Sequence, residues 1–182
     1  MKLLRVILIL VFTFTILHSE KVPLTPQHDD PLDVDLERNN SSSISDDNFN
    51  KHATPYEAKQ MVLRAVEYIN KHGMEKASEQ FCNRDGDFFY LDLYIFVFDM
   101  KGNILCHGRD DSLIGKNHYY LKDSVGKYFV QDFIELMEAK NEGWIEYYWR
   151  NYETFDIEEK ITFLKKVGED HFVGCGAYKR KK

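Results

Sequence analysis

Two periodicities divide this chain. From residue 54 to residue 81 the apolar positions recur every three or four residues: Ala58, Met61, Val62, Ala65, Val66 and Ile69, then, past Gly73, Met74, Ala77 and Phe81. That spacing predicts a long amphipathic helix and a shorter one, with these side chains as core. Thr54-Pro55-Tyr56-Glu57 supplies the start: a threonine N-cap, proline at the first helical position and the reciprocal glutamate of a capping box. Gly73 ends or kinks the first helix. From Phe88 the period shortens to two. Leu93, Ile95 and Val97 fall on one face and Tyr94, Phe96 and Phe98 on the other, so residues 93–98 read as a central strand buried on both sides. Asp99-Met100-Lys101-Gly102-Asn103 is a hairpin turn and residues 104–107 the return strand.

After a loop over residues 110–121, the period lengthens again over residues 127–140, where Val130, Phe133, Ile134 and Met137 form the inner side of a further helix. Strands follow at residues 143–149, 160–167 and 171–179, separated by a loop near 151–155 and a turn at Asp170. The order predicts an α+β fold: a PAS-like antiparallel five-stranded sheet, a long N-terminal helix and a crossover helix.

The first 53 residues differ in kind. Lys2 and Arg5 precede an apolar run from Val6 to Leu17, too short for the ~20 residues that span a bilayer, so residues 1–19 read as a secretory signal peptide. Leu17 and Ser19 match a small-residue cleavage site poorly, which leaves an uncleaved N-terminal anchor as the alternative. Residues 20–53 hold three prolines and the Asn39-Asn40-Ser41-Ser42-Ser43 tract, a composition that predicts a disordered linker. Residues 180–182 form a basic tail. With one apolar segment and no output domain after the last strand, the expectation is a periplasmic or secreted protein that meets a membrane only if the N-terminal segment is uncleaved.

Charge removes one function class. The formal net charge is −6 and no basic stripe is interleaved with aromatics, so nucleic acid is not an expected partner. The three cysteines, Cys82, Cys106 and Cys175, leave one bridge plus a free thiol, or three thiols, open. No spacing matches a zinc or haem site, and Asp85-Gly86-Asp87 lacks the ligand spacing and terminal glutamate of a calcium loop. No metal and no cofactor is expected. Cys175 and His107 lack an acid partner or an elbow motif, so no catalytic residue is assigned.

What chemistry remains lies in the last strands. Tyr147 and Trp149 stand two apart on one strand face, Tyr148 on the other, and Lys160 precedes the apolar run Ile161-Thr162-Phe163-Leu164. A lysine near the sheet face, with tyrosine and tryptophan donors, would hold a small organic anion by charge-assisted hydrogen bonds. The same residues also read as core aromatics and a solvated lysine, and the residue pattern leaves both open. Tyr94, Phe96, His107 and Tyr178 are further candidates, as is Lys116, in a loop that would fold over a pocket. Gly174-Cys175-Gly176 reads as close backbone approach or a bulge.

Taken in order, D-L-Y-I-F-V-F-D, G-N-I-L-C-H, L-I-G-K, D-S-V-G-K, G-W-I-E-Y-Y-W, the lysine Lys160 and V-G-C-G-A-Y resemble the single Cache domain of bacterial extracytoplasmic sensors. The resemblance covers residues 54–179. It implies a sheet behind a long helix and a pocket for a small ligand, often a short carboxylate such as acetate, propionate, lactate or pyruvate. It also implies that Tyr147, Trp149 and Lys160 line that pocket. Within receptors such domains lie between two membrane-spanning helices, and the second is not seen here. The expectation is therefore a non-catalytic binding module for extracytoplasmic sensing, with a membrane receptor or another protein as a second class of partner. The alternative is a structural or interaction protein that keeps the fold without a ligand.

Overall fold

The computed structural model describes residues 52–179. The apolar N-terminal segment, the linker through residue 51 and the basic tail at 180–182 lie outside the described residues. The first described residues pack onto the fold just before the first helix. The buried Ala53 donates its N–H to Asp92 Oδ1 at 2.8 Å, and His52 Nδ1 lies 3.4 Å from Asp92 Oδ2.

Helix α1, Pro55–His72, starts with the capping box. Glu57 N–H donates to Thr54 Oγ1 at 3.2 Å, and Thr54 N–H donates to Glu57 Oε2 at 2.7 Å. This satisfies two donors that a helix start otherwise leaves unpaired. Gly73 takes φ 83°, a conformation open to glycine at little cost, and its N–H donates to the Ile69 carbonyl. Helix α2, Met74–Phe81, follows at once.

The strands are β1 (Phe89–Tyr90), β2 (Leu93–Tyr94), β3 (Phe96–Asp99), β4 (Ile104–His107), β5 (Glu142–Arg150), β6 (Ile157–Val167) and β7 (His171–Tyr178), with α3 (Phe129–Lys140) between β4 and β5. All pairings are antiparallel; β1 and β2 form a small ribbon, and the main sheet has the order β4-β3-β7-β6-β5. The expected five-stranded sheet is present, with one refinement. Residues 93–98 are not one continuous strand, because Leu93–Tyr94 pair with β1 whereas Phe96–Asp99 pair with β4 and β7. Ile95 sits at the change of partner, its carbonyl accepting from Gly108 N–H at 2.9 Å. Similarly, α3 starts two residues later than the periodicity suggests, and β6 starts three residues before Lys160.

The alternation along residues 93–98 builds two cores. Leu93, Ile95 and Val97 pack with Val62, Ala65, Phe81 and Phe163 against α1 and α2. Tyr94, Phe96 and Phe98 pack with Phe129, Phe133, Tyr147 and Phe172 against α3. Each fully buried large side chain contributes about 1.5–3 kcal/mol of transfer free energy. The second core is rich in aromatics, and it surrounds the candidate site.

Candidate functional site

Three strands place the site's polar residues in one row. In the β5–β6 register Tyr147 stands opposite Lys160, and in the β6–β7 register Lys160 stands opposite Tyr178. Paired residues in an antiparallel sheet share a face. The row therefore points to the α3 side, where Tyr94 joins it from β2. Glycines make the room. A Cβ on Gly176 would lie 2.8 Å from Lys160 Cε and would collide with Thr162 Oγ1, and a Cβ on Gly174 would run into the Phe96 ring. The Gly-Cys-Gly step of β7 is thus a trough that lets Lys160 and Phe96 lie flat against the sheet.

Lys160 is 0 % exposed. Its Nζ donates to the Tyr94 hydroxyl at 2.9 Å and lies 4.0 Å and 4.9 Å from the ring centroids of Tyr94 and Tyr178. Among the described residues no carboxylate forms an ion pair with it. Burial pulls its pKa down to about 8, opposed by the more distant Cys175 and Asp92. The ammonium thus remains mostly protonated at neutral pH inside an aromatic cage. Tyr94, also buried, has its pKa raised well above the usual value, by burial first and by Tyr178 and Tyr147 next. The Tyr178 hydroxyl donates to the Arg150 carbonyl at 2.6 Å, and Thr162 Oγ1 donates to the Tyr147 hydroxyl at 3.4 Å.

His107, at the end of β4, stands beside Tyr94, with ring centroids 4.8 Å apart. Its Nδ1 accepts from Asp110 N–H at 2.9 Å, so the neutral ring carries its proton on Nε2. Burial first, then the Lys160 charge, pushes its pKa down to about 3. It is a neutral donor at physiological pH.

These groups border a void of about 20 Å³, room for one water. Tyr94, Phe96, His107, Tyr147 and Trp149 line it, together with Phe129 and Phe133 of α3 and Ile104, Leu113 and Leu121 from β4 and the loop after it. Phe129 stacks on Tyr147 with ring centroids 4.4 Å apart. Lys160 and Tyr178 stand next to this space rather than on its wall. Lys116 does not reach it: its side chain is exposed, and its contribution is a carbonyl that accepts from Ile104 N–H at 3.1 Å. Cys175 lies on the opposite face, with its thiol 3.7 Å from Met61 Sδ and its pKa raised by burial to about 12, so it makes no dyad with His107.

Sequence reading missed the rim. The Tyr152 hydroxyl donates to Asp110 Oδ2 at 3.2 Å, and the Arg109 guanidinium donates to Glu153 Oε1 at 2.6 Å and to the Tyr152 carbonyl at 3.3 Å. These bonds tie the β5–β6 hairpin to the loop after β4, over one end of the site. Asp123 ties down the other end of the loop. Its Oδ1 accepts from Val125 and Lys127 N–H, and its Oδ2 accepts from Tyr148 N–H on the β5 edge. D-S-V-G-K has the form of a turn motif, yet no local signal names Tyr148 as its partner.

Comparison with known proteins agrees with this fold. The family model described as single Cache domain 2 matches residues 43–180. The sensor histidine kinase MctS of Rhizobium johnstonii is 32% identical over 88 residues, which cover 48% of this chain and 19% of that protein, so the chain spans about a fifth of that relative's length. A methyl-accepting chemotaxis protein from Vibrio parahaemolyticus superposes with a TM-score of 0.60 at 23% identity, covering 68% of this chain and 86% of that one. A Cache chemosensory domain studied for carboxylic acid recognition gives 0.55 at 16% identity, covering 69% and 88%. These structural likenesses speak for the fold, and the family model covers all of the described residues. This protein belongs to the single Cache domain family, as a member of the single Cache domain 2 group.

Proposed function

We propose that this chain binds a small organic anion, a short carboxylate, between the sheet and α3, as a non-catalytic module for extracytoplasmic sensing. The observation that carries this reading is Lys160, a wholly buried ammonium with no ion-pair partner among the described residues. A buried unpaired charge is costly. An anion in the adjoining space would compensate it, with Tyr94, His107 Nε2–H and Trp149 as neighbouring donors. The aromatic walls exclude water and strengthen each of those bonds. The carboxylic acid ligand of the structural neighbour with a TM-score of 0.55 supports the same class.

The size of the void favours a second reading, a module that keeps the fold for interaction and holds no ligand. A space for one water does not admit even acetate without movement. Binding therefore requires the β5–β6 hairpin or the loop after β4 to shift outward, breaking the Arg109–Glu153 and Tyr152–Asp110 contacts described above.

Thermal unfolding of the purified chain against acetate, propionate, lactate, pyruvate, free amino acids and neutral alcohols separates the two. A bound ligand at 100 times its Kd adds about 2.7 kcal/mol. A shift confined to carboxylates and lost in Lys160→Met supports the anion site. No shift with any compound on folded protein overturns it in favour of the interaction module.

A further inference from the structure

The sheet face away from the candidate site carries a second piece of chemistry. Cys82 caps α2, and Cys106 lies in β4 with its side chain among the residues packed on α1 and α2. Their sulfurs are 2.7 Å apart. Two unbonded sulfurs do not rest so close, and the separation exceeds a disulfide bond by only about 0.7 Å. The third thiol has different surroundings: Cys175 is wholly buried and meets Met61 Sδ at 3.7 Å, as a core residue does.

We infer that Cys82 and Cys106 form a disulfide that fastens the end of α2 to β4. The pair is built for it. Cys82 is half-buried and reachable, whereas Cys106 is buried behind it. The contact with Cys106 lowers the Cys82 pKa below its ordinary value, which favours the thiolate there. The same contact, with burial, raises the Cys106 pKa far above its ordinary value. One sulfur is therefore the attacking group and the other the resolving one.

The oxidant is a disulfide, either a small molecule such as oxidised glutathione or a dithiol oxidase. The Cys82 thiolate attacks one of its sulfurs, forming a mixed disulfide and releasing one thiolate, which takes up a proton. Cys106 then loses its proton and attacks Cys82 Sγ. The Cys82–Cys106 bond forms, the mixed disulfide breaks, and the second thiolate leaves. Two cysteine thiols are oxidised and one oxidant disulfide is reduced to two thiols. The bond closes a loop between residues 24 apart in sequence that contains β1, β2, β3 and the β3–β4 hairpin. His107 follows Cys106 directly, so the clamp also holds the end of β4 from which that ring faces the candidate site.

The test is peptide mapping of the folded full chain after incubation with oxidised glutathione and alkylation in denaturant. The expected result is a peptide pair joined through Cys82 and Cys106, two hydrogens lighter than the sum of its parts, with Cys175 alone alkylated. Loop-closure entropy then sets the expected loss of Tm on reduction at roughly 10 °C, a loss absent in Cys82→Ser, whose half-exposed position tolerates the change. Three alkylated thiols, a glutathione adduct persisting on Cys82, or a Tm indifferent to reductant overturns the inference. None of these readouts involves a carboxylate, so the result stands apart from the ligand assignment.

Discussion

The Lys160 ammonium donates to the Tyr94 hydroxyl at 2.9 Å, in a site where both residues are sealed from solvent and no carboxylate pairs with the lysine among the described residues. Two residues 66 positions apart in sequence thus share a hydrogen bond across the sheet. It satisfies one of the lysine's three donors and leaves its charge unneutralised. That imbalance sets stability and binding against each other, and most of the expectations below follow from it.

Replacing the charge should stabilise the unliganded protein. Lys160→Met keeps the length of the side chain and removes the desolvated ammonium; exchanging buried charge for packed apolar groups is often stabilising by about 1–4 kcal/mol. Urea denaturation should show a higher midpoint for the variant without carboxylate, while calorimetry shows at least a hundredfold loss of carboxylate affinity. A destabilised Lys160→Met would mean that the ammonium is compensated within the fold.

The pH dependence of Lys160 has a definite sign. Its pKa falls from 10.5 in the unfolded chain to about 8 in the fold, so between those values the unfolded state holds more protons and stability rises with pH. Complete release of this penalty amounts to about 3 kcal/mol. Above pH 10 the buried Tyr147 and Tyr178, both raised by burial, act the other way: the unfolded phenols ionise first and stability falls. Free energies of unfolding should therefore climb from pH 8 to pH 10 and then turn down, with the climb absent in Lys160→Met. Carboxylate affinity should fall over the same climb.

His107 governs the acid side. With its pKa lowered from 6.5 to about 3, the ring stays neutral in the fold while the unfolded chain protonates it, so its contribution is present above pH 6.5 and is lost as pH falls towards 3. The full span corresponds to about 5 kcal/mol. His107→Asn should flatten this part of the stability profile, measured by denaturant titrations between pH 3 and 7. An unchanged slope would place the acid-sensitive group elsewhere.

Gly176→Ala tests the trough in β7. The added methyl would meet Thr162 Oγ1, the Ile161 carbonyl and Lys160 Cε at once, and the carbonyl cannot move without disturbing the sheet. Overpacking of this kind costs about 1–3 kcal/mol. Lys160 would be displaced from Tyr94, so carboxylate affinity should drop together with Tm. A variant with wild-type Tm would show that the trough is slack.

Part of the lining of the void is legible in the sequence. The two-residue spacing of Tyr147 and Trp149 and the alternation of an unusually apolar strand at Tyr94 and Phe96 single out four residues that line it. Lys160 was ambiguous between a solvated and a buried state. A lone lysine beside an apolar run has the same local pattern in both cases, and its burial depends on Gly176 one strand away. Lys116 misled for the converse reason: a loop position carries no periodicity to say which side faces inward, and the chain turns this one to solvent. Phe129 and Tyr152 gave no signal, since an aromatic at a helix start or in a hairpin is ordinary.

Patterning along the chain determined the elements, their order and the two-sided burial of residues 93–98, because side-chain period and turn chemistry are local properties. It also offered Tyr147, Trp149 and Lys160 as candidates for an anion site. Tertiary structure alone decided that Tyr147, Lys160 and Tyr178 share one row, that His107 stands beside Tyr94 as a neutral donor, and that Cys82 meets Cys106 while Cys175 does not. Strand register, the depth made by a missing Cβ and the desolvation that shifts a pKa arise between segments far apart in sequence, so they exist only once the sheet has closed.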